Sequence, residues 1–347
     1  MKTVLILGAG FSKNSGIPIQ SEIPELLIRE MPDNQFENAV SMALKKFICD
    51  IFGYSSQASI PKLDDIFTCI DISTNSGHHL GIGYSPLNLR AIRRLLVYRV
   101  FSILENSFTY SHAIETLIAN MLRDIGDVGF IVLNWDTVLE RYLMKMYPDL
   151  DIDYCSDGME WNKDCRKNDS LRIAKIHGSC NWLYCDNCRM LIYDLYDDIP
   201  IIDRSGIQEA DLGMLKEHPA KTELNNRKCM ICGNEISSHI ATFSYRKSFR
   251  ANSFPNIWKR AEEMLSHADR WVFIGYSLPD ADYEFKHLLK ISELKFSHIN
   301  TGRPLIDLVL LNSANTIEKY KSFFGKRMNV VCNKGVEEYL KYVGCML

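Results

Sequence analysis

The run Val4-Leu5-Ile6-Leu7, followed at once by Gly8-Ala9-Gly10, leaves few folds open. Four apolar residues without polar alternation read as a strand buried on both faces, the kind found in parallel sheets. The two glycines then bring the backbone sharply round with no large side chain in the way. Ser12, Ser15 and Gly16 follow at a spacing that lets backbone amides and small hydroxyls face a diphosphate, as at the first crossing of a dinucleotide-binding sheet. A glycine pair after a strand also occurs in ordinary α/β turns, and Lys13 stands where a third fingerprint glycine would be. Alone, the stretch leaves nucleotide binding open.

Later apolar runs repeat the pattern. Gly129 to Leu133 leads into Asn134-Trp135-Asp136, Leu171 to Ile176 into His177-Gly178, Trp271 to Ile274 into Gly275-Tyr276-Ser277, and Leu305 to Leu311 into Asn312. Helical patterning separates them. Right-handed crossovers would gather these ends along one edge of a doubly wound, Rossmann-like parallel sheet, where open α/β folds bind ligands. Asn134 and Asp136 are therefore site candidates, although Asp136 equally suits the N-cap of a helix starting at Val138. His177 suits acid–base work because an unperturbed imidazole titrates near neutrality.

With 347 residues, one large domain carrying inserted modules is expected. Residues 22–125 form a mainly helical module, with apolar residues at helical intervals over Glu22 to Glu30, Phe36 to Ile48, Leu63 to Ile70, Leu89 to Ser102 and Ile114 to Arg123. Between Ile72 and Asn88 the glycines and the His78-His79 pair read as a loop. Arg90, Arg93, Arg94 and Arg99 group cations on one helix, read as a solvated face or a subunit contact.

Residues 180–238 form a second module. Cys185-x-x-Cys188 and Cys229-x-x-Cys232 are two knuckles that can place four thiolates on one tetrahedral ion, a structural zinc site with no open position. An odd total of eleven cysteines fits metal binding in a reducing compartment better than a disulfide framework. After this module, Ile240 to Phe243 should return the chain to the main domain. The net charge of −3 speaks against holding nucleic acid by phosphate neutralisation. Gly8 and Gly10 interrupt the first apolar run, so no signal peptide is expected, and no run is long enough to span a membrane. The chain is expected to be soluble and cytoplasmic.

Taken together and in order, these motifs resemble the sirtuin superfamily, and within it the divergent bacterial branch of sirtuin-like NAD-hydrolysing proteins associated with antiphage defence. Gly8-Ala9-Gly10-Phe11-Ser12-Lys13-Asn14-Ser15-Gly16-Ile17-Pro18 is similar to the family's glycine-rich loop. Asn134-Trp135-Asp136 resembles its Asn-x-Asp, His177-Gly178 its His-Gly, the four cysteines its zinc ribbon, and Gly275-Tyr276-Ser277-Leu278 its Gly-x-Ser-Leu. The resemblance implies NAD as substrate, with Gly8, Ala9, Gly10, Ser12, Ser15, Gly16, Ile17, Gly275, Tyr276, Ser277 and Asn312 binding it. It implies that Asn134 orients ribose and water. Asp136 would contact the nicotinamide side or fix its loop, and His177 would take a proton from a ribose hydroxyl or from water. Deacetylating members carry an aromatic residue and arginine where Ile19-Gln20-Ser21 stands, and Thr-Gln where Val132-Leu133 stands. These departures, with Glu140 one turn beyond Asp136, favour cleavage of NAD to nicotinamide and ADP-ribose over protein deacylation. The alternatives are an NAD-dependent deacylase and a non-catalytic nucleotide-binding subunit. The implied partners are further copies of the chain and an ATPase or other defence subunit.

Overall fold

A computed structural model describes every residue except 1, 56–58, 125–127, 162–169, 216–223, 225–226, 241–252, 301 and 345–347. Its strands are β1 (Thr3–Leu7), β2 (Val128–Val132), β3 (Asp151–Asp153), β4 (Met159–Glu160), β5 (Ser170–Lys175) and β6 (Gly178–Tyr184). After them come β7 (Leu191–Tyr193), β8 (Ser237–Ile240), β9 (Arg270–Ile274), β10 (Leu305–Val309) and β11 (Met328–Cys332). Seven of these form one sheet in the order β11-β10-β9-β1-β2-β5-β3, every pairing parallel. The chain starts at the centre with β1, adds β2 beside it, then β3 at the edge and β5 between the two, and returns to build β9 to β11 on the other side. That reversal beside β1 is the topological switch point at which such sheets leave a crevice.

Register decides what reaches the crevice. Leu7 is level with Val132 and with Ile274, Val132 with Lys175, and Ile274 with Val309. The central strands thus end in one row, and the residues just past them, Gly8, Leu133, Ile176, Gly275 and Leu310, emerge at one edge. Val4 to Leu7 are at most 3% exposed, as a strand covered on both faces requires. Each such side chain contributes roughly 2 kcal/mol of gross burial free energy.

The helices are α1 (Ala9–Ser12), α2 (Ile23–Leu27), α3 (Gln35–Phe52), α4 (Leu63–Ser76), α5 (Pro86–Asn106) and α6 (His112–Met121). They continue as α7 (Val138–Met146), α8 (Ile201–Ser205), α9 (Ser253–Ser266), α10 (Tyr283–Ile299), α11 (Ala314–Phe324) and α12 (Val336–Gly344). Helix α5 is buried nearly all round and packs against α2, α3, α4 and α8. Its start is set by Pro86 in the first turn and by Ser85, whose hydroxyl accepts from Asn88 N at 3.2 Å.

Three expectations are corrected. The helix expected over Glu22 to Glu30 is only Ile23–Leu27, since Ile28 leaves helical geometry at φ −99°, ψ 2°. The loop expected from Ile72 is shorter, because α4 continues to Ser76 and stops at Gly77, where φ is +70°. Thr74 fits inside that helix because its hydroxyl donates back to the Ile70 carbonyl at 2.9 Å. The arginines of α5 are not a free solvated face. Arg93 pairs with Asp71, Arg94 with Asp211, and Arg99, 3% exposed, with Glu37. Arg90 is exposed. Of the expected return strand, Ile240 closes β8, and 241–243 lie outside the described residues.

Candidate active site

Two turns cross at the crevice with their backbones in contact. Gly8 N donates to Ile274 O at 3.0 Å, Gly10 N to Gly275 O at 2.9 Å, and Gly275 N to Val309 O at 2.9 Å. No side chain would fit between them: a Cβ on Gly275 would lie 2.2 Å from Phe11 N, and one on Gly8 would lie 2.6 Å from Gly275 O. Gly275 also sits at φ +64°, which L side chains rarely adopt. The crossing presents bare backbone to whatever lies above it.

Beside this crossing, the end of β2 delivers Asn134 and Asp136. Asn134 Nδ2 donates to Asp136 Oδ2 at 2.8 Å and to Ser12 Oγ at 3.0 Å, and Ser12 Oγ donates to Asp136 Oδ1 at 2.9 Å. The carboxylate can only accept, so the amide nitrogen must face it, which leaves Asn134 Oδ1 without a donor from this cluster. That oxygen is buried with no hydrogen-bond partner among the described residues. Asp136 Oδ1 also accepts from Val138 N at 3.1 Å, so the same carboxylate steadies the start of α7. Capping and site roles are compatible in one residue.

A buried cation supports this loop from below. Lys175 is wholly buried, and its Nζ donates to the Asp136 carbonyl at 2.5 Å and to Glu140 Oε1 at 2.9 Å. Tyr154 OH donates to the same Glu140 oxygen at 2.9 Å. Burial first, and the Glu140 charge second, push the Tyr154 phenol well above its usual range, so it remains a donor. Taking a charge out of water is costly unless it is paired and hydrogen-bonded, and Lys175 has both kinds of support.

His177, 4% exposed, follows β5 directly. Its Nδ1 is 3.0 Å from the Leu133 carbonyl, and its Nε2 is 3.1 Å from Asp282 Oδ1. Tyr276 OH donates to Asp282 Oδ2 at 2.7 Å, and Tyr320 OH donates to the Tyr276 carbonyl at 3.1 Å. Burial, then the Asp282 charge, raise the Tyr276 phenol far above its ordinary value.

A cavity of about 590 Å³ joins these groups. Gly8, Ala9, Gly10, Asn134, Asp136, His177, Gly275, Tyr276 and Ser277 line it, so two glycine turns and the polar side chains that follow β2, β5 and β9 share one space. Ser12 stands just behind, bonded to Asn134 and Asp136. Ser15, Gly16, Ile17 and Asn312 do not line it. Ser15 Oγ is 3.0 Å from Tyr142 OH, Gly16 packs under Ser107, and Ile17 is buried in the core. Asn312 is exposed at φ +44°, while its neighbours Leu311 and Ser313 reach the wall. Ile19, Ile23, Ile60 and Leu63 also line it and make one side of the cavity apolar.

Sequence reasoning missed Lys175 and Asp282. Lys175 shares strand parity with Leu171 and Ile173, the buried side, and a lysine on that side was the available signal. For Asp282 no local pattern distinguishes it from Asp280, which is exposed.

The four cysteines converge. The sulfurs of Cys185, Cys188, Cys229 and Cys232 lie within 4.8 Å of one another, with Cys185 to Cys232 at 3.4 Å and Cys188 to Cys229 at 3.5 Å. Zinc–sulfur bonds of about 2.3 Å imply tetrahedral edges of about 3.8 Å, so the set suits a zinc ion held by four thiolates. Asn234 Nδ2 lies 3.4 Å from Cys232 Sγ and, as the largest cause, holds that thiol well below its usual range. Around the cluster packs a small core of its own, Leu183, Ile192, Ile199 and Ile236, separate from the main one. A core this small needs a staple. The protein as purified is expected to carry one zinc per chain by mass spectrometry, and Cys229→Ser is expected to lose it and to open this module to proteolysis. Zinc retained by the variant would remove Cys229 from the ligand set.

The fold and site thus define an α/β protein with a seven-stranded parallel sheet, a crevice at its switch point and a four-cysteine cluster typical of a zinc ribbon. No protein-family model matches the chain, and no curated protein matches it. Among solved structures it is similar to one described as the structural basis of sirtuin substrate affinity, at 16% identity and TM-score 0.49, covering 99% of this chain and 93% of that one. It is similar also to a complex of Sir2 with a p53 peptide and NAD+, at 15% identity and TM-score 0.46, covering 99% and 94%. A third is Sir2Tm bound to a propionylated peptide, at 14% identity and TM-score 0.44, covering 100% and 94%.

Proposed function

We propose that this chain is an NAD glycohydrolase: water attacks the anomeric carbon, nicotinamide leaves with the bonding electron pair, and ADP-ribose and one proton are released. The observation that carries the reading is the buried, unpartnered Oδ1 of Asn134, a residue that lines the cavity. An amide oxygen can only accept, so it calls for a hydrogen-bond donor, a role that water or a ribose hydroxyl would fill. Breaking the nicotinamide–ribose bond develops positive charge on the sugar, and the Asp136 carboxylate beside Asn134 favours that charge. His177 would move the proton. The bare glycine crossing of Gly8, Gly10 and Gly275 would take the diphosphate, where a Cβ would hold it off.

Cleavage without an acyl-lysine acceptor follows from the departures at Ile19-Gln20-Ser21 and Val132-Leu133, and from the likeness of Asn134-Trp135-Asp136 with Glu140 to the antiphage branch. On that reading the chain is a cytoplasmic defence effector that depletes NAD, acting as an oligomer or beside an ATPase partner. The test is incubation of the pure chain with NAD alone. Equal amounts of nicotinamide and ADP-ribose are expected, and His177→Ala is expected to abolish both. Turnover that appears only with an acyl-lysine peptide would replace this reading with a deacylase, and binding with no turnover in either case would replace it with a nucleotide-binding subunit.

A further inference from the structure

We infer that Lys290, Arg303 and Arg327 form a second ligand site, which takes a small phosphate-bearing anion on the edge of the sheet opposite the crevice. Strands β10 and β11 run parallel, with Ile306 level with Met328. Arg303 stands just before the first strand and Arg327 just before the second, so both cations gather where these strands begin. Lys290, on α10, reaches the same place. The crevice lies at the far ends of the same strands, about 15 Å away by strand rise. None of the three cations lines its cavity.

One buried carboxylate draws them together. Glu293 Oε1 is in contact with Arg327 Nη1 and lies 3.4 Å from Arg303 Nη1, while Lys290 Nζ lies 3.3 Å from Oε2. The Glu293 side chain is 1% exposed and those of the cations 38 to 43%, so the acid forms a floor and the cations a rim that faces water. A carboxylate offsets one unit of charge and has about four lone-pair sites, against two guanidiniums with about five N–H donors each. Most of that capacity is unspent. Neither arginine side chain donates a hydrogen bond to a described residue, and Glu293 Oε1 accepts none. Lys290 is fixed by the Phe323 carbonyl at 2.7 Å and by the Phe323 ring, whose centroid is 4.3 Å from Nζ. Burial lowers the pKa of that ammonium, and Arg327 and Arg303 lower it further, as cations crowded beyond what their acid offsets would do. Asp307, within β10, does not relieve them, because it is paired with Arg270 and bonded by Asn329. Lys326, next to Arg327, is exposed and adds to the same field. Two charges in excess and forked donors anchored from beneath match a phosphate dianion in charge and shape, where a carboxylate would bring only one charge.

Titration calorimetry of the full chain with inorganic phosphate, at constant ionic strength in chloride, tests the site. Saturable binding is expected, and Arg303→Gln is expected to weaken it on the order of tenfold. That variant leaves Glu293 with two cations, so the fold should hold. Should it fail to fold, Arg303→Lys, which keeps the charge but not the fork, is read in its place, with an expected loss of about threefold. Unchanged affinity in the folded variant would overturn the inference by putting the phosphate elsewhere, the glycine crossing included. No saturable binding by the unaltered chain would overturn it whatever the variants do. Nothing in this site depends on the proposed NAD chemistry, so failure of that reading leaves the titration decisive.

Discussion

Asn134→Ala is expected to lower the rate of NAD cleavage on the order of 1000-fold, with the chain still folded and the KM for NAD changed far less. The amide does two things that separate in such a variant. Its Nδ2 ties Ser12 to Asp136, and its Oδ1 is left without a partner among the described residues. Losing the Nδ2 contacts costs about 1 kcal/mol each, which the remaining Ser12–Asp136 and Val138–Asp136 bonds can absorb. Losing Oδ1 removes the acceptor that would orient the attacking oxygen, and a misplaced nucleophile is costly because proximity and alignment supply much of the barrier reduction. Steady-state release of nicotinamide checks this. A variant keeping more than a tenth of the rate would take Asn134 out of the reaction.

The second large effect falls on stability. Gly275→Ala is expected to destabilise the chain by more than about 4 kcal/mol or to prevent folding, which a thermal melt or the soluble yield would show. The added methyl would sit 2.2 Å from Phe11 N and 2.3 Å from Gly10 C, both backbone atoms of the opposing turn, at φ +64°. Neither turn can retreat, because β1 and β9 are hydrogen-bonded along their whole lengths up to that crossing. Gly213→Ala is the control: nothing lies within 4 Å of its added methyl, and it should change little. Equal melting of both variants would mean that the crossing is looser than its distances imply.

Strand identity is legible in the sequence because a parallel strand covered on both faces has to be an unbroken apolar run, and Val4 to Leu7, Phe130 to Val132 and Trp271 to Ile274 are such runs. The cysteine knuckles are legible because a metal fixes ligand type and spacing locally. Helix ends are less so. Thr74 in α4 satisfies its hydroxyl within the helix, so a polar stretch that reads as loop can remain helical. Charge on α5 misleads in the same way, because Arg99 finds Glu37 from another helix, a pairing that no local pattern announces.

The same division runs through the site. From its own residues the chain determined which groups stand past each strand: glycines after β1 and β9, Asn134 and Asp136 after β2, His177 after β5. Covalent order and strand periodicity act over a few residues, so they can be read without the rest of the molecule. Only the tertiary structure decided that Asn134 would keep an unpaired oxygen, that Ser15 and Ile17 would turn into the core while Gly16 stays exposed, that Lys175 would be buried under Asp136, and that Asp282 would cover His177. Those outcomes depend on strand register and on contacts between segments more than 100 residues apart, such as Ser12 with Asp136 and His177 with Asp282. Each is a balance of burial against hydrogen bonding that exists only once the sheet has closed.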